Sequence, residues 1–139
     1  MRPDFVSPPS LYRDAPYEYA AVVPAGALVF TAGACPLDQN GKVVEPGNHE
    51  AQARQTVDNL RAALAAAGSS LEQVVKTTIY VVAQNQHELV RTWNVVAEAF
   101  GDSRPPSTLL GVALLGYTGQ LVEIEAIALA GRRALSSDA

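Results

Sequence analysis

The chain has 139 residues, 48% of them hydrophobic, which is enough for one domain with a modest core. Its formal charge of −4 comes with no cluster of Lys or Arg, which argues against nucleic acid or an anionic membrane surface as a partner. The single Cys35 cannot form an internal disulfide, and every apolar run is interrupted before the roughly 18 to 20 residues that span a bilayer. With no basic or apolar stretch typical of a secretory leader in MRPDFVSPPS, the expectation is a cytoplasmic protein that does not engage membranes.

Residues 1–14 are rich in Pro and read as an irregular N-terminal arm, followed by one domain over 15–131 and a C-terminal tail over 132–139. Tyr17 to Val23 and Ala27 to Ala32 are β-rich runs separated by Pro-Ala-Gly and predict a hairpin. Asn48 caps a helix in which Ala53, Val57, Leu60, Leu64 and Ala67 recur at helical spacing until Gly68 ends it. Gln73 to Val82 is dense in β-branched residues and reads as a strand. Asn85 with Glu88 three residues on has the form of a capping box, and Leu89, Trp93, Val96 and Phe100 make the apolar stripe of a second helix up to Gly101. Pro105 and Pro106 stop it, and Ser107 to Leu115 and Gln120 to Ala130 predict a second hairpin across Gly-Tyr-Thr-Gly.

The order β-β-α-β-α-β-β defines an α+β two-layer sandwich, with both helices on one face of a sheet. In the last strand both faces carry apolar residues: Leu121, Ile127 and Leu129 on one, Val122, Ile124 and Ala126 on the other. A bare apolar sheet face calls for a partner subunit, and closed homo-oligomers commonly place ligand sites in the clefts between subunits.

Glu123 and Glu125 fall within this apolar strand, on the same face and roughly 6 to 7 Å apart along it. Two readings stand open on the residues alone. One carboxyl could act as a general acid or base, or position a water; alternatively both could pair with basic side chains at a subunit interface. His49 and His87 have no second His or Cys at ligand spacing, so no metal site is expected and both read as surface residues. Cys35 reads as a small buried apolar side chain, without a His base that would make it a nucleophile.

The segments VFTAGACP, AAGSSLEQVVKTTIYV and above all PPSTLLGVALLGYTGQLVEIEAIALA resemble the Rid family, the reactive-intermediate deaminases also called YjgF or L-PSP endoribonuclease-like proteins. The likeness runs from about Tyr19 to Ala130. It implies a chorismate-mutase-like fold, a homotrimer with small-molecule clefts between subunits, and hydrolysis of enamines or imines such as 2-aminoacrylate without cofactor or metal. Carried over by position, the water-positioning glutamate is Glu123, which leaves Glu125 a structural part. The pocket tyrosine falls on Tyr19, the pocket glycine on Gly33, and the helix asparagine on Asn94, which reads equally well as a solvated residue beside Trp93.

Three positions depart from the deaminating branch. The arginine that grips a substrate carboxylate there, fifteen residues before the glutamate, is Thr108; the pocket serine is Ala32; and a frequent cysteine is Leu110. A bidentate cationic fork is thereby replaced by one neutral hydroxyl, which should cost a few kcal/mol for an anionic substrate. Arg91 and Arg104 are the alternative cations, though Arg104 precedes Pro105 in a loop and is expected to face solvent. The expectation is a hydrolase or deaminase of a neutral or bulkier imine or enamine, with a non-catalytic metabolite-binding or protein-interaction trimer as the alternative. The acidic charge speaks against the third reading, an endoribonuclease.

Overall fold

The structure is a computed structural model that describes residues 3–131, so the tail over 132–139 lies outside the described residues. A four-stranded sheet carries two helices on one face, as the α+β reading requires. Its strands are β3 (Leu28–Phe30), β4 (Val74–Val82), β5 (Ser107–Val112) and β6 (Val122–Leu129), in the order β3-β6-β4-β5. A separate two-stranded ribbon pairs β1 (Asp4–Val6) with β2 (Ala20–Val22).

The helices form where capping and periodicity place them. In α1 (His49–Ala66), Asn48 accepts from the Ala51 N–H at 3.0 Å, and Ala53, Val57, Leu60 and Leu64 are buried. Beyond the Ala67 cap, Gly68 takes φ +77°, a conformation that suits glycine. In α2 (Gln86–Phe100), Asn85 accepts from the Glu88 N–H at 3.0 Å, while the Glu88 carboxylate reaches back to the N–H of Gln84 at 2.9 Å. The capping box is therefore closed one residue earlier than the spacing suggests. Val122, Ile124, Ala126 and Ala128 of β6 meet Ile79 and Val81 of β4 and the α1 stripe in one buried core.

Both expected hairpins are replaced by longer-range pairing. β2 pairs with the arm rather than with β3, so the arm, read as irregular, contains a strand. β3 pairs with β6 instead, Phe30 opposite Ile127. β5 and β6 are likewise not neighbours, because β4 lies between them, parallel to β5 and antiparallel to β6. The physical reason is that β4, nine residues long and buried on alternate positions, offers both its edges to the last two strands. Local turn signals report only that the chain turns, not what it pairs with.

His49 also differs from its reading as a surface residue. It is 5% exposed, its Nε2 lies 2.8 Å from the Val82 carbonyl, and its Nδ1 lies 3.7 Å from the Glu88 carboxylate. It thereby ties the start of α1 to the end of β4 and the first turn of α2. The sheet face opposite the helices remains uncovered within the chain and is rich in apolar groups, with Phe30 70% and Leu110 41% exposed.

Candidate functional site

Glu123 lies on this open face near the start of β6, among loops that α1 holds in place. The segment Gly33 to Cys35 runs beside it, since Ala34 and Ile124 exchange backbone bonds at 2.7 and 3.1 Å. Ala34 turns to the core, leaving Gly33 and Cys35 on the side of Glu123. A β-carbon on Gly33 would stand 2.0 Å from Glu123 Oε2 and 2.8 Å from its Cγ, so only a glycine leaves room for the carboxylate. The Cys35 thiol is 3.4 Å from Glu123 Oε1, with the Gly33 carbonyl at 3.5 Å as its other acceptor.

Gln120 completes the arrangement. Its Nε2 donates to Glu123 Oε1 at 3.0 Å and to the Val122 carbonyl at 3.1 Å, while its own oxygen accepts from the Tyr117 N–H at 3.1 Å. Two side chains of α1 secure the loops on either side. Asn59 donates to the carbonyls of Cys35 and Leu37 at 2.8 and 2.9 Å, and fully buried Gln52 accepts from the Leu121 N–H at 2.7 Å while donating to the Gly119 carbonyl at 2.9 Å.

Cys35 is therefore a hydrogen-bond donor rather than an apolar filler. Burial, then the charge of Glu123 and the bond to it, push the thiol pKa up from 9.0 to about 11, so at neutral pH the sulfur keeps its proton. Glu125, the second acid of the strand, accepts from the Tyr80 hydroxyl at 2.5 Å, and that bond raises the tyrosine's pKa above its ordinary value. The two carboxylates thus have separate partners.

The remaining positions named from the sequence divide into two groups. Thr108 and Leu110 lie on the same open face as Glu123: Leu110, Tyr80 and Glu123 form one cross-strand row, and Thr108, Thr78 and Glu125 the next. Thr108 is two strands and one row from Glu123, on the order of 12 Å away by sheet spacing, and its hydroxyl accepts from Lys76 Nζ at 2.8 Å. A concavity of about 180 Å³ in this face is lined by Phe30, Lys76, Thr78, Glu125 and Ile127. Ala32 is exposed one residue before Gly33.

Tyr19 and Asn94 are not brought to Glu123 within one chain. Tyr19 belongs with the arm, donating to the Tyr12 carbonyl at 3.1 Å and meeting Tyr17 edge-on, and Asn94 is exposed on α2. Arg104 is exposed, as expected, and its guanidinium donates to the Ala15 carbonyl just after the arm. Arg91 is half-buried, with its Nε unbonded. A larger cavity of about 320 Å³ sits between the arm and α2 beside Trp93, Phe100 and Arg104, away from the carboxylates of β6. Among the described residues no group of three or more His, Cys, Asp and Glu gathers as a metal site would, and no helix is long and apolar enough to cross a membrane.

Gln120, Gln52, Asn59 and Tyr80 were not singled out by sequence reasoning. A signal for two of them exists: Gln52 and Asn59 are polar residues flanking the apolar stripe of α1, seven positions apart and so on one side of the helix.

A two-layer α+β domain with a buttressed glutamate on its open sheet face is the class defined by these observations. Residues 12–130 match the family described as Endoribonuclease L-PSP. A RutC family protein of Pyrococcus horikoshii is 36% identical over 110 residues, covering 79% of this chain and 85% of that protein. The 2-iminobutanoate/2-iminopropanoate deaminase of Escherichia coli is 35% identical over 116 residues, covering 80% and 86%. A solved Rid-family structure from Yersinia pestis superposes with a TM-score of 0.84 at 27% identity, over 93% of this chain and 99% of that one. The chain belongs to the Rid, or L-PSP endoribonuclease-like, family.

Proposed function

We propose that the protein hydrolyses an imine or enamine at Glu123, in a cleft formed when copies of the chain cover the open sheet face as a homotrimer in the cytoplasm. The observation that carries this reading is the Glu123 carboxylate, packed over Gly33 and held by Gln120 and Cys35. A carboxylate so fixed can align a water and move its protons. An enamine first becomes the imine by gaining a proton at carbon and losing one from nitrogen; water oxygen then bonds to the C=N carbon as the π pair passes to nitrogen, which takes a proton. The resulting carbinolamine then expels ammonia as its C–O bond becomes a carbonyl. One water is consumed, one ammonia leaves, and no electrons are exchanged.

Thr108 shapes the substrate class in this proposal. It presents a hydroxyl bonded to the single ammonium of Lys76 instead of a bidentate guanidinium, and Leu110 beside it is apolar, which favours a neutral or bulkier imine over 2-aminoacrylate. In this reading Tyr19 and Asn94 reach the cleft from a neighbouring subunit, while Ala32 flanks Gly33 in the same chain. Turnover of an imine panel, read as ammonia release against buffer, tests the reading, and no rate above buffer for any imine would sink it.

The second reading is a trimer that holds a metabolite or protein partner without turnover. It is favoured by Thr108, which stands where the resemblance places a carboxylate-gripping arginine. A small molecule retained through purification and released unchanged would support it. An endoribonuclease activity fits poorly with the net charge of −4.

A further inference from the structure

The geometry points to Gln120 as the residue that aims Glu123, engaging carboxylate oxygen Oε1 and leaving Oε2 as the oxygen that handles water and proton. The inference rests on the proposed acid–base role of Glu123 and adds which atom acts and what orients it.

A glutamate has three side-chain torsions and on an open strand face would sample several rotamers. Here one neighbour restricts it by shape and two by bonding. Gly33 supplies the space, and the Cys35 thiol is a weak donor shared with the Gly33 carbonyl. Gln120 is the strong donor, and it cannot drift, being 3% exposed with its amide used on both sides. Flipping the amide would set oxygen against oxygen at Glu123 and at the Val122 carbonyl and nitrogen against the Tyr117 N–H, losing all three bonds at once.

The turn bearing Gln120 is anchored in its own right. Gln52 accepts from Leu121 N–H and donates to the Gly119 carbonyl, so a side chain of α1 fixes the residues on either side of Gln120. Oε1 of Glu123 thus receives the amide and the thiol, whereas Oε2 has no hydrogen-bond partner among the described residues and lies over Gly33. An amide also does not titrate, so the donor persists at every pH at which the site could work.

The test uses the full chain carrying Gln120→Met or Gln120→Glu, with circular dichroism to verify folding. The glutamate can still accept from Tyr117 N–H but presents an oxygen instead of an N–H to Glu123, which separates anchoring of the turn from aiming of the acid. On any imine the parent turns over, both variants should lose about tenfold to a hundredfold in kcat with KM little changed. Full activity in folded Gln120→Met, which offers Glu123 no donor, would overturn the proposal.

Cys35 gives a readout that needs no turnover. In folded Gln120→Met a released carboxylate no longer acts on the thiol, so adding Glu123→Gln should leave the midpoint of the pH profile for Cys35 alkylation by iodoacetamide unchanged, whereas in the parent the same substitution should lower it. A fall on adding Glu123→Gln as large as in the parent would mean that Glu123 keeps its place without Gln120, and the inference would fall. A parent inactive on all imines would remove the enzyme reading, while the alkylation measurement would still decide what holds Glu123.

Discussion

Glu123 occupies the space a side chain on residue 33 would need: its Oε2 is 2.0 Å from where the Gly33 β-carbon would be. Gly33→Ala should therefore expel the carboxylate rather than crowd the backbone. A loss of activity comparable to removing the acid is expected, with a stability change of about 1–3 kcal/mol at most. Kinetics and thermal melts on one preparation check it; wild-type turnover in a folded alanine variant would contradict the geometry.

Glu123→Gln keeps the shape and removes the charge. On the best imine of a panel it should lower kcat by a factor of about 10² or more while leaving the oligomer's mass unchanged by native mass spectrometry. Removing the charge beside Cys35 should also bring the thiol's pKa down from about 11 toward its ordinary value, detectable as faster alkylation at a fixed alkaline pH.

Thr108→Arg offers a bidentate cation on the open face. Imines that carry a carboxylate should gain at least tenfold in kcat/KM, while neutral imines should gain nothing. Equal effects on both classes would show that position 108 does not meet the substrate.

Gln52→Ala leaves the part-buried Leu121 N–H without its acceptor. The cost should be about 1–3 kcal/mol, seen as a lower denaturation midpoint. Activity should fall along with stability, because the same side chain steadies the turn that precedes Glu123.

Alkaline stability follows from Cys35. Its folded pKa of about 11 stands above the 9.0 of an unperturbed thiol, so between these values the unfolded chain releases a proton that the folded chain retains. Stability should decline as pH rises through that window. Cys35→Ala should flatten the decline, and identical pH curves for parent and variant would count against the assignment.

The helices were legible because their signals are local: Asn48 and Asn85 cap where they stand, and Val57, Leu60 and Leu64 recur at helical spacing. Strand partners were not, since a Gly-Tyr-Thr-Gly turn says nothing of β4 lying between β5 and β6. The candidate site divides likewise. Glu123 stood out as an acid in an apolar strand, resemblance singled it out with Gly33, and the two lie in contact, whereas Gln120 read only as the first residue of the last strand and lies in the loop before it. Tyr19 and Asn94 lie elsewhere on the chain, and linear spacing could not show that.

The anchoring of the loops around Glu123 has an evolutionary consequence. Both are tethered to α1 through Gln52 and Asn59, whereas Thr108 and Leu110 ride on β5, which is paired to β4. Under the proposed function, reagent and recognition thus hang from separate parts of the architecture. A lineage could rewrite β5 to suit one metabolite after another while inheriting its acid intact, so loss of an ancestral substrate need not entail loss of chemistry.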